Sequence, residues 1–123
     1  MNIYVLLLIL ASIALSALAQ ITLKSGMSQP FIQHALTSGG LPMVWAVATN
    51  LHVIGGLALY GLGAILWLGV LAKVDVSLAY PFVAFGFILT MILAVLLLGE
   101  SVSYVRLIGT LLITVGAILI SRT

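Results

Sequence analysis

The amino-acid sequence predicts an all-α membrane protein in which four helices cross a lipid bilayer. Three observations carry that expectation. Of its 123 residues, 64% are hydrophobic and 5% are charged, whereas a soluble domain carries about a quarter charged residues. Four basic and two acidic side chains are too few to wet the outside of such a chain, so lipid is the solvent the composition requires. The charged residues also cut the chain into long apolar lengths. A bilayer core roughly 30 Å thick needs about 20 such residues in a helix, and in hydrocarbon each length must satisfy its own backbone, which makes it a helix.

The first span, 2–23, is uncharged and ends at Lys24. Its apolar core closes on Ser16-Ala17-Leu18-Ala19, as a secretory leader does, but no positive charge precedes it. The segment is therefore expected to remain as a span. A loop over 24–43 follows, containing Pro30, Pro42 and the pair Gly39-Gly40. Within it Phe31, Ile32, Ala35 and Leu36 have helical spacing, as in a short interfacial helix. The second span, 44–72, ends at Lys73, and Lys73-Val74-Asp75 makes a tight turn into the third, 76–99. The fourth covers 103–121, with Ser103 as its cap and Glu100 near its positive end. Arg106 lies close enough to that end for its side chain to reach the headgroups. All four belong to one domain over 1–123.

Four spans place both termini on one side, with Lys73 and Arg122, and leave Lys24 and Arg106 on the other. This balance gives the positive-inside rule little to act on. Either the rule is weak in this chain, or copies insert both ways and pair antiparallel.

Several function classes have no support. The chain has no cysteine, so disulfides and thiolate metal sites are excluded. No basic run exists to neutralise a line of phosphates, so no nucleic-acid partner is expected. There is no helical His-x-x-x-His pair and no phosphate loop. Asp75 and Glu100 are expected on opposite sides of the membrane, and His34 and His52 complete no triad. Neither an enzyme nor a cofactor or metal site is expected, and any driving force must come from a gradient or from consumption of product.

The candidate functional residues are polar or aromatic side chains inside the spans. Ser12, Ser16, Gln20 and Lys24 recur every fourth residue, on one face of the first helix. Such a stripe should face protein or water. It either bonds between helices or forms one wall of a hydrophilic cavity; Lys24 also reads as a snorkelling interface residue. Asn50 and His52 are expected at the interface. Gly55, Gly56, Gly61 and Gly63 allow close helix approach or bending. Tyr60 and Trp67 share a face, for packing or for stacking on a sugar ring. Pro81 follows Tyr80 and withholds an N–H from the Ser77 carbonyl. In a first turn that is harmless; within a helix beginning at Val76 it bends the helix and leaves the carbonyl to a cavity. Phe85, Gly86 and Thr90 follow. Gly109 and Gly116, flanked by Thr110 and Thr114, make a close-packing surface for a neighbouring helix or a dimer partner.

Leu66-Trp67-Leu68, Val74 through Pro81, Leu98-Gly99-Glu100-Ser101-Val102-Ser103 and Gly109 through Ile120 resemble the drug/metabolite transporter superfamily. Within it the chain resembles the small four-helix EamA-like proteins, and among those the ArnE and ArnF type of aminoarabinose-phosphoundecaprenol flippase subunit. Ala19-Gln20 with Lys24 looks like the ArnE pattern. The resemblance spans nearly the whole chain except Ser25 to Met43 and is more specific in the second half. Small multidrug resistance transporters share the plan but carry a glutamate in the first helix. Aligned on Lys24, that place is Ser16, so proton-coupled cation export lacks its key group, while Gly109 and Gly116 look like that family's dimerising pair.

The resemblance implies a half-size transporter bundle in the bacterial inner membrane. It implies a homodimer, or a heterodimer with a second small four-helix subunit, that flips an undecaprenyl-phosphate-linked sugar among membrane lipids. On this reading the substrate-binding set is Ser16, Gln20, Lys24, Tyr60, Trp67, Tyr80, Pro81, Phe85, Glu100 and Arg106, with Lys24 and Arg106 attracting phosphate. Two alternatives stay open: an exporter of a small amine, amino acid or drug, and an accessory structural subunit.

Overall fold

The computed structural model describes residues 2–123, and among these every long element is a helix. Helix α1 (Ile3–Met27) starts at Asn2, whose side-chain oxygen accepts the Tyr4 N–H at 2.6 Å. It continues almost a turn past Lys24. The expected loop is largely helical. Helix α2 (Pro30–Ser38) begins on a proline, and α3 (Gly40–Thr49) is entered through Gly39 and Gly40, at φ +66° and +61°. Only residues without a Cβ enter that left-handed region cheaply.

The stretch expected as one span from 44 to 72 is divided. Asn50 leaves the helical conformation (φ −71°, ψ 126°), and its side-chain oxygen accepts the Val53 N–H at 3.1 Å. Residues up to Thr49 therefore belong to α3, and the spanning helix is α4 (Leu51–Leu71). An uncharged run says how much apolar length exists, not where a cap interrupts it. After the turn come α5 (Val76–Ala79), a 3-10 turn (Tyr80–Phe82) and α6 (Val83–Leu98), which together form one apolar span of 23 residues. Gly99, at φ +68°, closes α6. Helix α7 (Tyr104–Ser121) starts at Ser103, whose hydroxyl accepts the Arg106 N–H at 3.1 Å, as expected. Four helices are long and apolar enough to cross a membrane, at Ile3–Met27, Leu51–Leu71, Val76–Leu98 and Tyr104–Ser121.

Helix α1 is the central element, packed against α4 on one side and α6 on the other. Helix α7 packs against α6 and the 3-10 turn. Near the chain-terminal side, Val5, Ile9 and Ile13 of α1 bury with Val70, Ala79 and Phe82. The α1–α4 seam depends on glycine. A Cβ at Gly56 would lie 2.7 Å from Leu23 Cγ, and one at Gly63 would lie 3.2 Å from the Ser12 carbonyl oxygen. The Ser12 hydroxyl donates to the Gly63 carbonyl at 2.7 Å in the same seam.

At the other side a polar clasp joins three helix ends. Asn50 Nδ2 donates to Gln29 Oε1 at 2.6 Å, and Gln29 Nε2 lies 3.1 Å from His52 Nδ1. Next to it Ile32, Ala35 and Ala46 pack α2 on α3. Along the most apolar stretch of each helix, 39% of the residues are buried in α1 but only 6% in α7. Most of the α7 surface is thus left to lipid or to another chain.

Candidate functional site

Because α4 packs chiefly on α1, and α7 on α6 and the turn, a cavity of about 630 Å³ remains between them. Its floor is α1 and α6; α4 stands on one side and α7 on the other. Helix α1 turns Ser12, Ser16 and Gln20 to it, the four-residue stripe that helical periodicity places on one face. Helix α4 adds Tyr60, Ala64 and Trp67. Tyr80 of the 3-10 turn begins a third stripe that continues through Val83, Phe87, Thr90, Met91 and Ala94 of α6. Glu100 and Val102 enter from the α6–α7 connection, and Arg106 and Thr110 from α7.

The two ends differ chemically. Tyr80 and Trp67 stand toward the chain termini, and Glu100 and Arg106 at the opposite side. Tyr80 and Ala94 are separated by roughly 20 Å of helical rise, so the cavity runs through much of a hydrocarbon core. Between the ends the polar groups are hydroxyls and the Gln20 amide. The Ser12 hydroxyl is already engaged by Gly63. Thr110 Oγ1 donates to the Arg106 carbonyl at 2.9 Å and lies 3.9 Å from Met91 Sδ. The Arg106 guanidinium donates to the Ser101 carbonyl at 3.5 Å. Gln20, Tyr60, Tyr80, Glu100 and Arg106 are all exposed.

Of the sequence candidates, Ser16, Gln20, Tyr60, Trp67, Tyr80, Glu100 and Arg106 line this one cavity. Lys24, Pro81 and Phe85 are not among its lining residues. Lys24 follows Gln20 by one turn and is exposed beyond the lining. Pro81 sits in the 3-10 turn, where it shapes the backbone that presents Tyr80. Phe85 packs on the core below, its ring centroid 5.7 Å from that of Phe82. Phe87, Met91 and Val102 line the cavity without having been singled out. The spacing of Phe87 from Tyr80, two helical turns, was the available signal. Gly109 and Gly116 lie away from it on α7, and a Cβ at either meets nothing within 4 Å.

The chain is similar in sequence to named flippase subunits. The chain is 34% identical over 117 residues to a probable 4-amino-4-deoxy-L-arabinose-phosphoundecaprenol flippase subunit ArnF of Proteus mirabilis (strain HI4320), covering 92% of this chain and 88% of that one. An ArnF subunit of Shewanella sediminis (strain HAW-EB3) is 33% identical over 128 residues, covering 94% and 86%. An ArnE subunit of Pseudomonas aeruginosa (strain UCBPP-PA14) is 40% identical over 63 residues, about half of each chain (51% and 55%). No family model and no solved structure matches. Homology along nearly the full length, together with four apolar helices long enough to span a bilayer, makes this a multi-pass membrane protein of the ArnE/ArnF family of small flippase subunits.

Proposed function

We propose that the protein is one subunit of a flippase in the bacterial inner membrane, and that its cavity carries the phosphate-sugar headgroup of an undecaprenyl-linked sugar. The observation that carries this reading is a cavity of headgroup size, largely apolar but set with hydroxyl, amide and charged groups, that reaches from Tyr80 to Arg106 and has α4 and α7 on opposite sides. Its volume, about 630 Å³, lies in the usual range for small-molecule sites, roughly 300–1,000 Å³.

The barrier to flipping is headgroup desolvation. Each polar group moved into hydrocarbon without a partner costs several kcal/mol. Ser16, Gln20, Tyr60, Tyr80 and Thr90 offer hydroxyl and amide groups in place of water. Tyr60 and Trp67 offer faces for a sugar ring, and Arg106 offers a forked cation for phosphate. The polyprenyl tail stays in lipid between α4 and α7.

The working unit is a dimer with a second small four-helix subunit. Four helices are few for alternating access, which commonly pairs two related repeats. The Gly109–Gly116 surface is open for such a partner.

The test is transport by the reconstituted native complex carrying Gln20→Ala, Tyr80→Ala or Arg106→Gln. Each is expected to slow flipping of the lipid-linked sugar. Full transport by all three removes the site, and export of a water-soluble amine without any lipid flipping selects the small-solute alternative.

A further inference from the structure

Glu100 and Arg106 reach the cavity from the same end, one on the α6–α7 connection and one in the first turn of α7. Among the lining residues Glu100 is the single carboxylate and Arg106 the single cation. The other carboxylate of the chain, Asp75, lies across the membrane beside Ser77, Ile120 and Thr123.

Both charges stand on fixed backbone. The Glu100 N–H donates to the Ala94 carbonyl at 3.2 Å, and the Arg106 N–H to Ser103 Oγ at 3.1 Å. Nor are the two consumed by one another. The Arg106 guanidinium turns to the Ser101 carbonyl at 3.5 Å, which leaves most of its five donors free. The Glu100 side chain is exposed.

A site of this composition treats singly and doubly charged ligands differently. Arg106 attracts a phosphate, but an unpaired carboxylate at the same mouth opposes it. A ligand that also carries an ammonium group removes the opposition and satisfies both residues. We infer that Glu100 is a specificity-determining residue, accepting hydrogen bonds from an ammonium on the sugar while Arg106 holds the phosphate. The cavity thus selects an amino sugar phosphate over the neutral sugar. This inference rests on the flippase reading above.

The test compares two probes in sealed vesicles containing the native complex. One is a short-chain polyprenyl phosphate bearing a radiolabelled aminopentose; the other is the same molecule N-acetylated, which removes the positive charge and adds an acetyl group, so the change in ratio on substituting Glu100, not the ratio alone, reads its role. The unsubstituted complex is expected to take up the free amine faster. Glu100→Gln should lower the amine-to-acetyl ratio about tenfold, the lower range for a hydrogen bond to a charged group. Glu100→Asp should retain most of the preference, whereas Arg106→Gln should slow both probes and leave the ratio in place. A ratio unchanged by Glu100→Gln, or near one in the unsubstituted complex, overturns the role of Glu100 and leaves the flippase reading standing. Uptake of neither probe by the unsubstituted complex overturns both.

Discussion

Replacing Gly56 by alanine should weaken the fold, although alanine is the better helix former. In a helix interior that change favours the folded state by roughly 0.5–1 kcal/mol. At Gly56, however, the added Cβ would stand 2.7 Å from Leu23 Cγ, 2.8 Å from Cδ2 and 3.1 Å from the Leu23 backbone nitrogen. The Leu23 methyl can rotate away, but the nitrogen belongs to the α1 backbone. Relief therefore requires α1 and α4 to move apart along the principal seam of the bundle. Overpacking of this kind costs about 1–3 kcal/mol, so the net expectation is a loss of about 1–2 kcal/mol. The control is Gly61→Ala, five residues along the same helix, where a Cβ meets nothing within 4 Å. It should match or slightly exceed the parent. Unfolding by denaturing detergent from a mild-detergent micelle, followed by circular dichroism, reads both variants. The packing argument fails if Gly56→Ala is as stable as the parent, or if Gly61→Ala falls as far.

Ser12→Ala removes the buried 2.7 Å bond to the Gly63 carbonyl and should cost about 0.5–1.5 kcal/mol in the same unfolding assay. Asn50→Ala removes both the cap on Val53 and the bridge to Gln29. A loss of about 1–2 kcal/mol is expected, and hydrogen exchange should quicken first at the start of α4. Leucine at both Gly109 and Gly116, where a Cβ meets nothing within the chain, should preserve helicity yet reduce co-purification of the second small subunit. Undiminished co-purification would place the partner on another face.

How much of this was legible beforehand depends on what lipid does to sequence patterns. Solvent, spans and helicity follow from local sums. Charged groups and unsatisfied peptides are excluded from hydrocarbon wherever the rest of the chain lies. The Ser103 cap and the Ser12–Ser16–Gln20 stripe were legible for the same reason, because each is decided within a turn or two of one helix. The inward face of the other helices was not. In water, polar residues mark the outside of a helix and so reveal its inside; in a bilayer both faces are apolar, and the mark disappears. Phe85 and Phe87 are equivalent as sequence, yet one packs in the core and the other lines the cavity. Gly56 and Gly61 are likewise equivalent until α1 is seen against only the first. The division of an uncharged run at Asn50 was only half legible: its cap on the Val53 N–H is local, whereas the Gln29 oxygen to which the Asn50 amide donates lies across the clasp. The sequence by itself determined the solvent, the number of spans and one polar wall. Only the packing of α1 between α4 and α6 decided which side chains share the cavity, since it alone tells a lipid-facing apolar surface from an inward one.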